Sequence, residues 1–190
     1  MQKDDIHIIY SVLAGDVNAF GTLLSRHASR VRGVVGRMVA SVEDAEELTQ
    51  NVFVKAYEHL ADFDERKSSF ATWLNRIAYN EAVDYLRKKS SVMLLSMDER
   101  DLDLQTEGEE DADVAFDDFS NDRVELLRRA ILDLPPQDRM LVHLYYHDDL
   151  PLREIGFILD RQPDYLATRL HRIRKRLHKT IKQLERYETK

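Results

Sequence analysis

The sequence predicts an all-α protein built as two small helical domains joined by a flexible acidic linker. Three observations lead there. Apolar residues recur at helical three-and-four spacing through most of the 190 residues. Only six glycines and four prolines punctuate the chain, too few for the many turns of an all-β fold. Between Ser96 and Asp122 the periodicity disappears and the charge turns strongly acidic. The expected division is therefore 1–95, a linker over 96–122, and 123–190.

Each element has its own signal. Ile6, Ile9, Tyr10 and Leu13 predict a first short helix, closed at Gly15-Asp16. Phe20, Leu23, Leu24, His27, Val31, Val35 and Met38 predict a second, longer one; His27 on that apolar stripe reads as a satisfied core histidine. Ser41 with Asp44 three residues later resembles a capping box, opening a third helix through Leu48, Val52, Ala56 and Leu60. After "ADFDERKSS", Ser68 or Ser69 would cap a fourth helix ending near Lys89. The segment "SMDERDLDLQTEGEEDADVAFDDFSND" holds too little apolar surface to offset the entropy of ordering it. Val124, Leu127, Ile131 and Leu134 then mark a helix stopped at Pro135-Pro136, and Met140, Leu141, Leu144 and Tyr145 mark the next. "LPLREIGFILD" is a short helix, and Pro163 suits the first position of the last one. That last helix carries the stripe Leu166, Leu170, Ile173, Leu177, Ile181 and Leu184.

The net charge of −7 conceals an uneven distribution. Residues 1–95 hold 12 basic and 13 acidic side chains, 96–122 hold 12 acids against Arg100 alone, and 123–190 hold 15 basic against 10 acidic. Arg169 to Lys182 carries seven basic groups and no acid, a pattern that suits a polyanion. The absence of cysteine removes disulfides, thiolate zinc sites and thiol nucleophiles, and it fits a reducing cytoplasm. The N-terminus places acids before a short apolar stretch, unlike a secretion signal, and no segment reaches the length needed to span a bilayer.

Two surfaces carry candidate chemistry. On the fourth helix, Leu74, Ile77, Ala78 and Tyr85 form an inner face with Phe70 at its edge. Arg76, Tyr79, Asn80, Val83 and Arg87 form an opposite face, with Trp73 beside them. Guanidinium groups, an amide and flat rings suit phosphates and unstacked bases. At the C-terminal end, a short helix, a tight turn and a longer basic helix form a helix-turn-helix, whose second helix enters the major groove. Thr168, His171 and Arg172 would read base edges, while Arg169, Arg174, Arg176 and Lys179 would meet phosphates.

Enzyme signals are weak. His143 and His147 stand at i, i+4 with Asp148 and Asp149 following, yet the helix offers no third ligand. The acids of "VEDAEE" suit a helix N-terminus through its dipole. No Gly-rich phosphate loop or nucleophile elbow is present. A DNA-binding regulator that uses only the helix-turn-helix is one reading, and a metal-dependent helical hydrolase a distant one.

"GDVNAFGTLL" (15–24), "DAEELTQNVFVKAYEHL" (44–60), "FATWLNRIAYNEAVDYLRKK" (70–89), "LPPQDRMLVHLYY" (134–146) and "TRLHRIRKRL" (168–177), in this order around an acidic tether, resemble segments of the extracytoplasmic-function sigma factors. The resemblance implies that 1–95 is sigma region 2 and 123–190 sigma region 4. It implies bacterial core RNA polymerase and promoter DNA as partners, often an anti-sigma factor, no cofactor, no metal and no catalysis, in the cytoplasm. It assigns Asp44, Glu47, Gln50 and Asn51 to the polymerase contact, Asn51 standing where most relatives carry an acid. It assigns Phe63, Arg66, Lys67, Ser68, Trp73, Arg76, Tyr79, Asn80 and Arg87 to the −10 element. Tyr165, Thr168, Arg169, His171, Arg172, Arg174 and Lys175 go to the −35 element. "DYLATR", Asp164 to Arg169, departs from the family's usual recognition-helix start, with Ala167 in place of a basic residue. Pro151 replaces the usual serine cap of the preceding helix, leaving Asp149 as the expected substitute.

Overall fold

The computed structural model describes residues 2–89 and 121–188, and every regular element among them is helical. The first half contains α1 (Gln2–Leu13), α2 (Phe20–Met38), α3 (Val42–Glu58) and α4 (Phe70–Lys89). The second contains α5 (Asn121–Leu132), α6 (Pro136–Tyr146), α7 (Leu152–Leu159) and α8 (Pro163–Glu188). The acidic segment 96–122 lies outside the described residues except for its last two, which begin α5. No helix among the described residues is long and apolar enough to cross a membrane.

Local chemistry explains the boundaries. Ser41 accepts the Asp44 N–H at 3.1 Å, the capping contact expected from the sequence. Ser69, rather than Ser68, starts α4: its hydroxyl accepts the Thr72 N–H at 3.1 Å and its carbonyl the Trp73 N–H at 3.0 Å. Asp16 caps a single 3-10 turn, Val17–Ala19, that leads into α2. Pro151 begins α7 without a side-chain cap. Asp149 does not substitute for it; its φ of 50° places it in a left-handed turn that ends α6 instead.

In the first half, α2, α3 and α4 pack on one another around Leu23, Val31, Val52, Phe70 and Leu74. The inner face of α4 is wider than the sequence pattern suggests. Thr72, Asn75, Tyr79 and Ala82 are buried along with Phe70, Leu74 and Ala78, because α4 has neighbours in α2, α3 and α7. His27 is a core histidine as expected, paired at 3.0 Å with Asp5 of α1, which also accepts from Arg26 at 3.1 Å. The lysine of α3, Lys55, pairs with Glu81, which explains an acid directed toward the packed side of α4.

In the second half, the α8 stripe is buried from Leu166 through Ile181. Each such leucine or isoleucine contributes about 2 kcal/mol of burial. On α5 the buried residues are Leu126 and Ala130, with Leu127 and Ile131 half-covered and Val124 exposed; Leu134, just past its end, is buried too. The α7–α8 turn depends on Gly156. A Cβ there would stand 2.6 Å from the Arg161 carbonyl oxygen, so the close crossing requires glycine. Asp160 completes the turn with φ of 55°.

Candidate nucleic-acid interface

The exposed edge of α4 meets the loop before it in a small aromatic cluster. Phe63 stands edge-on to Phe70 and Trp73, at 5.6 Å in both cases. Trp73 is half-buried, held by the rings rather than loose on the surface. A cleft of about 370 Å³ opens beside it, walled by Trp73, Arg76, Ile77, Asn80, Glu81 and Asp84 of α4 and by Lys55, His59 and Asp62. A flat ring at one wall, the exposed Asn80 amide at another and cations near the rim form a receptacle suited to an unstacked base.

The loop from Phe63 to Ser69 supplies charge. Arg66 is highly exposed and donates two hydrogen bonds to Asp64, each at 2.9 Å; Lys67 lies 4.0 Å from the same carboxylate. Hydrogen bonding by Arg66 holds the Asp64 carboxyl down at about 2. Exposed pairs of this type are weak, so Arg66 can exchange Asp64 for a phosphate at little cost. Arg87 is similarly exposed, 3.5 Å from Asp84.

Tyr79 does not join this surface. It is buried at 9% exposure, so the expected outer stripe of Arg76, Tyr79 and Asn80 is interrupted by a core residue. Arg76 is also engaged. Its guanidinium lies 3.4 Å from Asp160 and 4.7 Å over the Phe157 ring, both from the other half of the chain. Next to it, Thr72 donates to Glu154 at 2.8 Å. The first helix of the helix-turn-helix thus rests on α4, and α6 rests on α2. At that second contact Arg37 of α2 lies within electrostatic range of Asp148. Burial, followed by the nearby Arg37, pushes the His143 ring down to about 4. None of these contacts is visible from periodicity, since each joins residues more than 80 positions apart or crosses the linker.

On α3, Glu47, Gln50 and Asn51 are exposed on successive turns, and Val54 extends the same face at 55% exposure. Val54 was not singled out by sequence; an exposed apolar residue on a polar stripe is its signal. Asp44, one turn earlier, is turned inward. Its carboxylate accepts from the Tyr85 hydroxyl and from Lys89 at 3.1 Å, and the tyrosine bond, ahead of the lysine, keeps its pKa below the ordinary value.

On α8, Thr168, Arg172, Arg174 and Lys175 are exposed, with His171 half-covered, and Arg176 and Lys179 continue the basic face. Thr168 donates to the Asp164 carbonyl at 3.1 Å. Arg169 departs from this ridge. Its guanidinium donates to Asp138 at 2.5 Å and to the Tyr165 hydroxyl at 2.7 Å, and the Asp138 side chain is only 10% exposed. Arg169 and Tyr165 therefore tie the recognition helix to α6.

Two helical bundles, one with a ring-and-amide cleft and one ending in a helix-turn-helix with a basic second helix, define a class of bipartite DNA-binding proteins. Comparison with known proteins makes the class specific. Residues 23–92 match the family model for Sigma-70 region 2, and residues 124–177 that for Sigma-70, region 4. The chain is 32% identical over 185 residues to the ECF RNA polymerase sigma factor SigW of Bacillus subtilis, covering 93% of this chain and 96% of the relative. It is 30% identical over 189 residues to the ECF RNA polymerase sigma-E factor of Escherichia coli K12, covering 97% and 98%. The chain belongs to the ECF RNA polymerase sigma factors. Its fold is similar to CnrH solved in complex with the cytosolic domain of CnrY, with TM-score 0.62 and 21% identity over 93% of this chain and 96% of that one. It also resembles the sigma factor RpoE solved with the anti-sigma factor NepR from Bartonella quintana, with TM-score 0.61 and 20% identity over 86% and 96%.

Proposed function

We propose that this chain is the promoter-specificity subunit of a bacterial RNA polymerase, with its two halves dividing the work. The first half docks on core polymerase through the α3 face of Glu47, Gln50, Asn51 and Val54. The cleft beside Trp73 receives a base extruded from the opening −10 element. Asn80 meets the base edge, while Arg66, Lys67 and Arg87 neutralise the backbone around it. The second half sets α8 in the major groove of the −35 element. There Thr168, His171 and Arg172 reach base edges, and Arg174, Lys175 and the cations beyond them meet phosphates. The chain performs no chemistry of its own and works in the cytoplasm.

The observation that carries this reading is the pairing of a ring-and-amide cleft on α4 with a separate basic recognition helix. A regulator acting through its helix-turn-helix alone has no use for the first feature. Asp44, Tyr165 and Arg169 act from behind, fixing α3 on α4 and α8 on α6.

The contact between halves gives the mechanism a required step. Positions named −35 and −10 lie about 25 base pairs apart, roughly 85 Å along the duplex at about 3.4 Å per pair. Here Arg76, at the cleft, touches Asp160, in the turn that leads into the recognition helix. Both elements cannot be engaged in that arrangement, so α7 leaves α4 when the chain loads onto polymerase and promoter. A compact arrangement of this type also suits capture by an anti-sigma factor, and both structural neighbours named above were solved with a protein partner.

The test is promoter opening with core polymerase and the Trp73→Ala and Asn80→Ala variants. Open complexes are expected to fall by about tenfold or more, with binding to core polymerase unchanged; stacking alone contributes about 1–3 kcal/mol per base. Normal opening with both variants would remove the cleft from the mechanism.

A further inference from the structure

The pair His143 and His147 lacks a third helical ligand in the sequence, but the end of α6 supplies one. The His147 and Asp148 N–H groups both donate to the His143 carbonyl, at 2.9 and 3.1 Å, and the Leu150 N–H donates to the Leu144 carbonyl at 3.0 Å. This closing turn runs through Asp149 in its left-handed conformation and folds the Asp148 carboxylate back under the two rings. Asp148 Oδ1 lies 3.3 Å from His143 Nε2 and 3.1 Å from His147 Nδ1, and the three ligand atoms all lie within 4.8 Å of one another.

We infer that His143, His147 and Asp148 form a binding site for one divalent transition-metal ion of the zinc, cobalt or nickel class. Ligand atoms about 2.05 Å from a tetrahedral ion stand roughly 3.3 Å apart, close to two of the three separations here. Two imidazoles and one carboxylate suit these ions rather than calcium or magnesium, which prefer all-oxygen shells. Water fills the fourth position. The His143 and Asp148 side chains are 12% and 13% exposed, so both are held by their surroundings. His147, at 69%, is free to turn from its tilted stack on His143, with centroids 4.3 Å apart, and close the third edge.

Two cations oppose the ion. Arg37 of α2, in the other half of the chain, lies within electrostatic range of Asp148, and Arg30 lies within electrostatic range of His143. An ion at the site sets like charges across the α2–α6 contact. Metal binding and contact between the halves therefore oppose each other, by equal factors in the two directions.

The test uses the full-length chain titrated with Zn²⁺ by calorimetry and with Co²⁺ by visible absorption, which reports tetrahedral nitrogen and oxygen ligation. One equivalent should bind. His147→Ala, a change on the surface, should weaken that binding by about a hundredfold or more, a loss beyond that typical of outer-shell partners. His59→Ala, which removes the exposed two-ligand pair of His59 with Asp62, should leave it unchanged. Arg37→Met should tighten it several-fold. Absence of saturable binding, equal affinity in the His147→Ala protein, or equal loss in the His59→Ala protein would overturn the site. Unchanged or weaker binding with Arg37→Met would overturn its coupling to α2.

Discussion

Replacing Arg169 by alanine separates two roles that the recognition helix gives to its arginines. Arg169 is 29% exposed on its side chain, and its partner Asp138 is 10% exposed in the first turn of α6. Removing one member of a buried pair costs about 3–5 kcal/mol, because the other charge is left in a poor solvent. Two features reduce that figure here. Arg169 retains access to water, and the N-terminus of α6 favours the orphaned carboxylate by about 0.3–1 kcal/mol. The expected loss is about 2–3 kcal/mol, which for a chain of this length lowers Tm by about 4–12 °C. The measurement is urea unfolding of the full-length protein, with Asp138→Ala and the double variant completing a cycle. A coupling of about 1 kcal/mol or more between the two sites is expected. Arg172→Ala, on the exposed ridge, should leave stability within about 0.5 kcal/mol and instead weaken protection of the −35 element. An Arg169→Ala protein of unchanged stability, with the −35 defect expected of Arg172→Ala, would refute the assignment of Arg169 to the interior.

Other consequences can be measured with the same preparations. Gly156→Ala drives a Cβ against the Arg161 carbonyl oxygen and should cost about 1–3 kcal/mol, read as a lower urea midpoint. Asn75 is 1% exposed and neither its amide nitrogen nor its oxygen has a hydrogen-bond partner among the described residues; Asn75→Leu should raise stability by about 1 kcal/mol. Glu154→Arg with Asp160→Arg sets cations against Thr72 and Arg76. It should expand the free protein in small-angle scattering, and an unchanged profile would show that these contacts do not hold the halves together.

Much of the fold was legible in the residues because most of its helices bury a single stripe. The α8 positions from Leu166 to Ile181, the Ser41 cap and the core position of His27 all follow from spacing and local hydrogen-bond chemistry. Reading failed where a helix is covered on more than one side. Tyr79 fits the outer face of α4 by angle, yet it is buried because α4 is packed by four other helices, α1, α2, α3 and α7. Arg169 belongs by composition to the phosphate-contacting cations of α8, yet Asp138, 31 residues earlier, draws it inward. Side-chain partners distant in sequence leave no periodic trace, and the Arg76–Asp160 and Thr72–Glu154 contacts were invisible for that reason. Asp148 stands beside the two histidines in the sequence, but its direction is not legible there, because it lies past the helix end, where the left-handed turn at Asp149 rather than helical spacing sets it.

The central claim is that the ring-and-amide cleft opens promoter DNA only as part of a polymerase. Its most direct test combines purified bacterial core RNA polymerase, this chain and a matched promoter, with co-elution and transcript formation read in parallel. The chain should elute with core polymerase, and start-site-specific transcripts should require its presence. Failure to co-elute, together with tight binding to promoter duplex by the chain alone, would contradict the claim.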